Sequence, residues 1–196
     1  MTVSARGDDP PLCSPGGLPP EPPAPDRRFA PSGGTPRGAG QAPRDRDSSG
    51  RPRNTRPRDE LGRPLPRGAA GVERVPDDLS LPPAEALALA QRMLDSGRAF
   101  QAHEVLEASW KQAPAGEREL WRGLAQLAVG LTHIQRGNDR GAAALLRRGA
   151  ERVGGYAGAA PYDIDAAGLS AAAGALADRI EAGGLTGLDT HLMLTR

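Results

Sequence analysis

The chain has 196 residues, 38% of them hydrophobic, and a formal net charge of +1, a length that fits one or two domains. Residues 1–76 carry 13 arginines against 9 acidic residues and the remainder carries 12 basic against 15 acidic, so neither part is basic enough to call for nucleic acid. No run approaches the roughly 18 apolar residues of a membrane span, no apolar stretch opens the chain as a signal peptide would, and the single cysteine, Cys13, excludes a disulfide framework; the expectation is a cytoplasmic protein that is not a membrane protein.

Composition divides the chain near residue 76. Of its 20 prolines, all but Pro82, Pro83, Pro114 and Pro161 lie at or before Pro76, and Phe29 is the one aromatic of that segment. Such a stretch buries too little surface to offset its chain entropy, which predicts a long disordered Pro/Arg/Gly-rich arm over 1–76. Within it a phrase recurs: Pro43-Arg44-Asp45 precedes Gly50-Arg51-Pro52, and Pro57-Arg58-Asp59 precedes Gly62-Arg63-Pro64. Low-complexity drift accounts for the repetition. The functional alternative is a docking motif over 55–68, anchored by Leu61 and Leu65, that engages the chain's own helical part or a protein partner.

Helical periodicity begins at Leu81. Ser80 is a candidate N-cap, with Pro82 and Pro83 tolerated in the first turn, and the first helix runs to about Ser96 with Gly97 as its stop. A second helix covers Ala99 to Gln112 and ends before Pro114. The third, about Glu117 to Arg136, presents Leu120, Leu124, Leu127, Leu131 and Ile134 at spacings of three and four, the stripe of an amphipathic helix. Gly123 and Gly130 cost that helix stability, which predicts close approach of a neighbour. A fourth helix spans Asp139 to Val153, and a fifth runs from near Asp165 to Gly183. The expected fold is all-α: a single antiparallel helical domain of about five helices over 77–185, with a frayed tail at 186–196. Gly97, Ala102 and Leu106 match Gly137, Ala142 and Leu146 at an offset of 40, which predicts weak tetratricopeptide-like packing.

His103 and Glu107 stand one helical turn apart on the second helix, on one face and about 6 Å apart along the axis. An imidazole and a carboxylate so placed can share a metal ion, exchange a proton, or bond to each other inside a core. The segment resembles an HExxH zinc helix but has Glu107 where the second histidine would stand. Zinc needs at least three protein ligands, so further groups must come from elsewhere. Folding the third helix back brings Gln126 to the height of His103 and leaves His133 about 10 Å further along at 1.5 Å per residue. Glu104 points about 100° away from His103. Trp110 and Trp121 read as core.

Three motifs in order, His103-x-x-x-Glu107-x-x-Trp110, then Gly123-Leu124-Ala125-Gln126-Leu127-Ala128, then His133-x-x-Arg136-Gly137-Asn138-x-x-Gly141-Ala142, resemble the domain-of-unknown-function family 309 over roughly Leu87 to Val153. The resemblance implies a small all-helical protein of bacterial or archaeal type and a metal suggested for the first motif, which carries over onto His103, Glu107 and Trp110; it implies no established activity. Two functional expectations stand. One is a divalent-metal or acid–base site built on His103 and Glu107, completed by His133 or Gln126, with Glu104 and Trp110 in support. The other is a non-catalytic interaction module in which His103 and Glu107 form a structural hydrogen-bonded pair.

Overall fold

The computed structural model describes residues 56–76 and 78–196. The expected disorder of residues 1–55, and the first copy of the recurring phrase, lie outside the described residues.

Among the described residues there are five α-helices: α1 Pro83–Asp95, α2 Ala99–Gln112, α3 Arg118–Gln135, α4 Asp139–Gly154 and α5 Ala166–Gly183, with a short 3-10 turn at Ala115–Glu117 leading into α3. Each helix packs on the next in sequence, so α3 lies between α2 and α4. The all-α expectation is correct; the only β pairings among the described residues are the isolated bridges Arg58–Pro64 and Ile164–Thr195.

The helix ends follow from backbone chemistry. Gly97 and Gly137 adopt φ of +74° and +71°, which glycine alone enters without a Cβ penalty. Each closes the same motif: Gly97 N–H donates to the Leu94 carbonyl and Arg98 N–H to Met93, as Gly137 donates to Ile134 and Asn138 to His133. These paired reverse bonds satisfy carbonyls that a helix end leaves orphaned. The 40-residue offset is therefore a repeated turn-and-pack unit, with Ala102, Leu106, Ala142 and Leu146 all fully buried. At the start of α1 the expectation was wrong. Pro82 occupies the N-cap without a side-chain bond, because the Ser80 hydroxyl donates instead to Gln112 Oε1 at 2.7 Å.

α3 and α4 approach through glycine. A Cβ on Gly149 would stand 3.0 Å from the Gly123 carbonyl oxygen, and one on Gly123 would stand 3.2 Å from that of Gly149. Leu120, Trp121, Leu124 and Leu127 of α3 fill the core on either side. Trp121 Nε1 and Tyr162 Oη both donate to the Glu117 carboxylate, at 3.2 and 3.0 Å, which ties the start of α3 to the loop before α5.

Two boundaries need correction. The tail is not frayed: Leu192 and Leu194 are buried at 4% and 1% exposure while Met193 between them is 52% exposed. Gln91 of α1 clasps this extended segment, accepting from Leu194 N–H at 2.8 Å and donating to the Leu192 carbonyl at 3.2 Å. Nor does structure begin at residue 77. Residues 56–76 form a hairpin-like strap in which Asp59 Oδ1 accepts from the N–H groups of Leu61 and Arg63, and Leu65 N–H donates to Pro57.

Candidate functional site

α2 presents His103, Glu107 and Lys111 in one line, each four residues from the next. His103 Nε2 lies 3.5 Å from Glu107 Oε2, and Lys111 Nζ lies 3.1 Å from Glu107 Oε1. The first distance is too long for a good hydrogen bond. Glu107 thus leans toward the lysine, and the His103–Glu107 pair is looser than a mutually satisfied one. His103 is only 23% exposed, and its Nδ1 is closed to solvent without a partner. Burial holds its imidazole below the ordinary value; Glu107 opposes that shift, and Lys111 and Arg136 add to it. The balance favours the neutral ring.

The strap roofs this face. Arg58, Arg74, Val75 and Pro76 lie opposite Phe100, His103, Glu107 and Lys111 across a cleft of about 270 Å³. Glu104 is turned toward the strap, 3.9 Å from Arg74 Nε. Phe100 is the hub. Its ring meets His103 at 6.1 Å between centroids in an edge-on arrangement, and the guanidinium groups of Arg58 and Arg136 lie over it at 5.6 and 6.0 Å, within cation–π range. Gly62 seats directly on the same ring with φ of +75°. Arg136 donates through Nε and Nη2 to the Leu61 carbonyl. The contribution of Leu61 here comes through its backbone, whereas a side-chain anchor was expected.

The other residues singled out from the sequence go elsewhere. Gln126 accepts from Arg152 of α4 at 2.9 Å. His133 Nδ1 lies 2.8 Å from Asn138 Nδ2. Since Asn138 Oδ1 accepts from Gly141 N–H as the α4 N-cap, its amide nitrogen faces the ring and His133 Nδ1 is the acceptor. His133 and Gln126 therefore do not join His103 and Glu107. No group of three His, Cys, Asp or Glu residues among the described residues could hold a metal ion, so a three-ligand site on this set does not form. Trp110 is half-buried and packs against the core. Lys111, Phe100 and Arg74 were missed, whereas Arg58 lies within the 55–68 segment offered above as a docking motif. The continuing four-residue spacing was the available signal for Lys111; nothing local marked Arg74.

The family model described as a domain of unknown function, DUF309, matches residues 87–145. This is the family that the three motifs suggested. The chain is also 46% identical over 48 residues to the uncharacterized protein YpuF of Bacillus subtilis (strain 168), an overlap covering 24% of this chain and 28% of that protein. The chain thus spans less than a third of the relative's length. No solved structure matches. The third DUF309-like motif now has a physical reading: Gly137 makes the turn, Asn138 caps α4, His133 positions that cap, and Arg136 reaches the strap. The strap itself, α5 and the tail lie outside the matched residues. No helix among the described residues is long and apolar enough to cross a membrane.

Proposed function

We propose that this chain is a non-catalytic helical binding module in which the His103–Glu107–Lys111 face of α2 holds an extended polypeptide strap, here the chain's own residues 56–76. One observation carries the reading: Arg58 and Arg74–Pro76 stand across the cleft from the motif face. One imidazole beside a single carboxylate that is already paired with lysine is a poor donor set for a divalent cation. It serves well as a half-apolar platform for Phe100 and the strap. Tethering gives the strap an effective concentration of about millimolar, so weak contacts suffice to keep it seated.

The test is metal analysis of the purified full chain beside His103→Ala and Glu107→Ala, with amide exchange read at residues 57–76. The expected result is no stoichiometric metal in any of the three, helical content retained, and faster exchange of the strap in both variants. Stoichiometric zinc or manganese in the parent, lost from either variant with the fold intact, would replace this reading with a metal site.

A further inference from the structure

Aligned at an offset of 12 residues, Arg44-Asp45-Arg46-Asp47-Ser48-Ser49-Gly50-Arg51-Pro52 repeats Arg56-Pro57-Arg58-Asp59-Glu60-Leu61-Gly62-Arg63-Pro64 at six of nine positions. Residues 44–52 lie outside the described residues, whereas 56–64 are the part of the strap that sits on Phe100. The seated copy therefore shows what each position of the phrase does. We propose that the seat formed by Phe100 and Arg136 recognises this phrase, and that residues 44–52 are its second occupant, exchanging with 56–64 within one chain.

The identical positions are those whose side chain or backbone angle the loop and its seat use. Arg56 donates through Nε and Nη2 to the Leu65 carbonyl at 3.2 and 3.1 Å. Arg58 lies over the Phe100 ring and donates to the Gly62 carbonyl at 2.5 Å. Asp59 Oδ1 shapes the loop by accepting from Leu61 and Arg63 N–H, a bond pattern for which turns favour aspartate. Gly62 takes its positive φ against the ring, where a Cβ would overlap Phe100. Arg63 reaches the Arg136 carbonyl at 3.5 Å, and Pro64 bridges to Arg58 across the loop. The three positions that differ bond through the backbone or stand in solvent: Pro57 and Leu61 supply carbonyls to Leu65 N–H and to Arg136, and Glu60 is exposed. Low-complexity drift gives no reason for that division. Leu61 is half-buried, so Ser49 in its place buries less apolar surface, which ranks 56–64 as the stronger occupant. Seating 44–52 leaves 12 more residues between the seat and α1, and closure entropy grows only with the logarithm of length. One chain can thus offer both copies. The proposal rests on the strap reading above and names the phrase which that strap presents.

The experiment is amide exchange on the full chain beside Gly62→Ala, Gly50→Ala and the double variant, with helical content checked by circular dichroism. Gly62→Ala should evict 56–64 and speed exchange at Asp59, Arg63 and Leu65 about tenfold or more. It should also slow exchange at Asp47, Arg51 and Arg53 by a comparable factor, as the second copy takes the vacated seat. Gly50→Ala alone should keep 56–64 protected, and the double variant should protect neither copy. Exchange at Asp47, Arg51 and Arg53 that stays at the parent's rate in Gly62→Ala overturns the proposal. So does protection of 44–52 that survives Gly50→Ala, or survives Arg136→Gln in the Gly62→Ala background, because the phrase is then not held by this seat. Slowing that appears only as protein concentration rises also overturns it, since the second occupant then comes from another chain. The parent separates the two readings. Unprotected Asp59, Arg63 and Leu65 in the parent sink the strap reading itself, whereas a protected parent with no transfer to 44–52 sinks only the second occupant.

Discussion

Substituting alanine for glycine at two helix positions should move stability in opposite directions. In α4, a Cβ on Gly149 would stand 2.6 Å from Leu127 Cδ2, 2.9 Å from Leu127 Cγ and 3.0 Å from the Gly123 carbonyl oxygen. The leucine can change rotamer, but the carbonyl belongs to the α3 backbone and yields only if the helices separate. Overpacking of this kind costs about 1–3 kcal/mol, against a gain of about 1 kcal/mol from replacing glycine inside a helix. The net expectation is a loss of up to about 2 kcal/mol. In α5, a Cβ on Gly174 meets nothing within 4 Å, so Gly174→Ala should realise the propensity gain alone, about 1 kcal/mol. Urea denaturation followed by far-UV circular dichroism would read both, and thermal midpoints should separate by roughly 4 °C per kcal/mol for a domain of this size. A Gly149→Ala protein more stable than the parent by the full propensity gain of about 1 kcal/mol would mean that α3 and α4 do not approach through this glycine pair. Loss of stability in Gly174→Ala would refute the assignment of that face as open.

Acidification gives a second check. Burial holds His103 and, to the same sign, His133 below the ordinary imidazole value, so the unfolded chain binds more protons than the folded one just below about pH 6.5. Stability should be fully present above that point and fall as pH drops through it; urea midpoints at pH 7.5 and 5.5 would show the loss, and His103→Asn should shrink it. A flat profile, or one rising toward acid, contradicts the burial of His103. Leu194→Ala should cost about 2–4 kcal/mol, as for other buried leucines, measured by the same denaturation; a cost near zero would return the tail to solvent. Gly62→Ala should release the strap while leaving the helices intact, because φ of +75° and contact with the Phe100 ring leave no place for a methyl group; unchanged amide protection at 57–72 would count against the strap.

The helices were legible because their signals are local. Amphipathic spacing drew α3, and the stops at Gly97 and Gly137 mark the two places where the backbone must take a positive φ to recover orphaned carbonyls. The tail was missed although it carried a signal of its own. Leu192-Met193-Leu194 alternates buried, exposed, buried, the period of an extended segment, but three residues are too few to stand out against a helical background. Its anchor, Gln91, is a hundred residues away and gives no local sign.

The site was half legible for a related reason. Spacing on one helix brings His103 and Glu107 together with no help from the rest of the fold, so that pair could be read directly, and Lys111 continues the same spacing. Which neighbour completes it depends on the sides that α3 turns to α2 and α4, and α3 spends Gln126 on Arg152 and His133 on the α4 cap. The completing residues come instead from a proline- and arginine-rich segment whose composition argued for disorder. It is seated by few groups: one glycine on an aromatic face, two guanidinium groups over that ring, and a carbonyl held by Arg136. None of these depends on hydropathy, which is why a reading built on apolar periodicity passes over them. Arg136 stands at the α3 C-cap, one residue before the glycine that turns the chain into α4. The turn that sets α4 on α3 thus also sets the arginine that holds the strap over His103. That makes the His133-x-x-Arg136-Gly137-Asn138 stretch the corner that joins α3 to α4 and, through Arg136, a second contributor to the site.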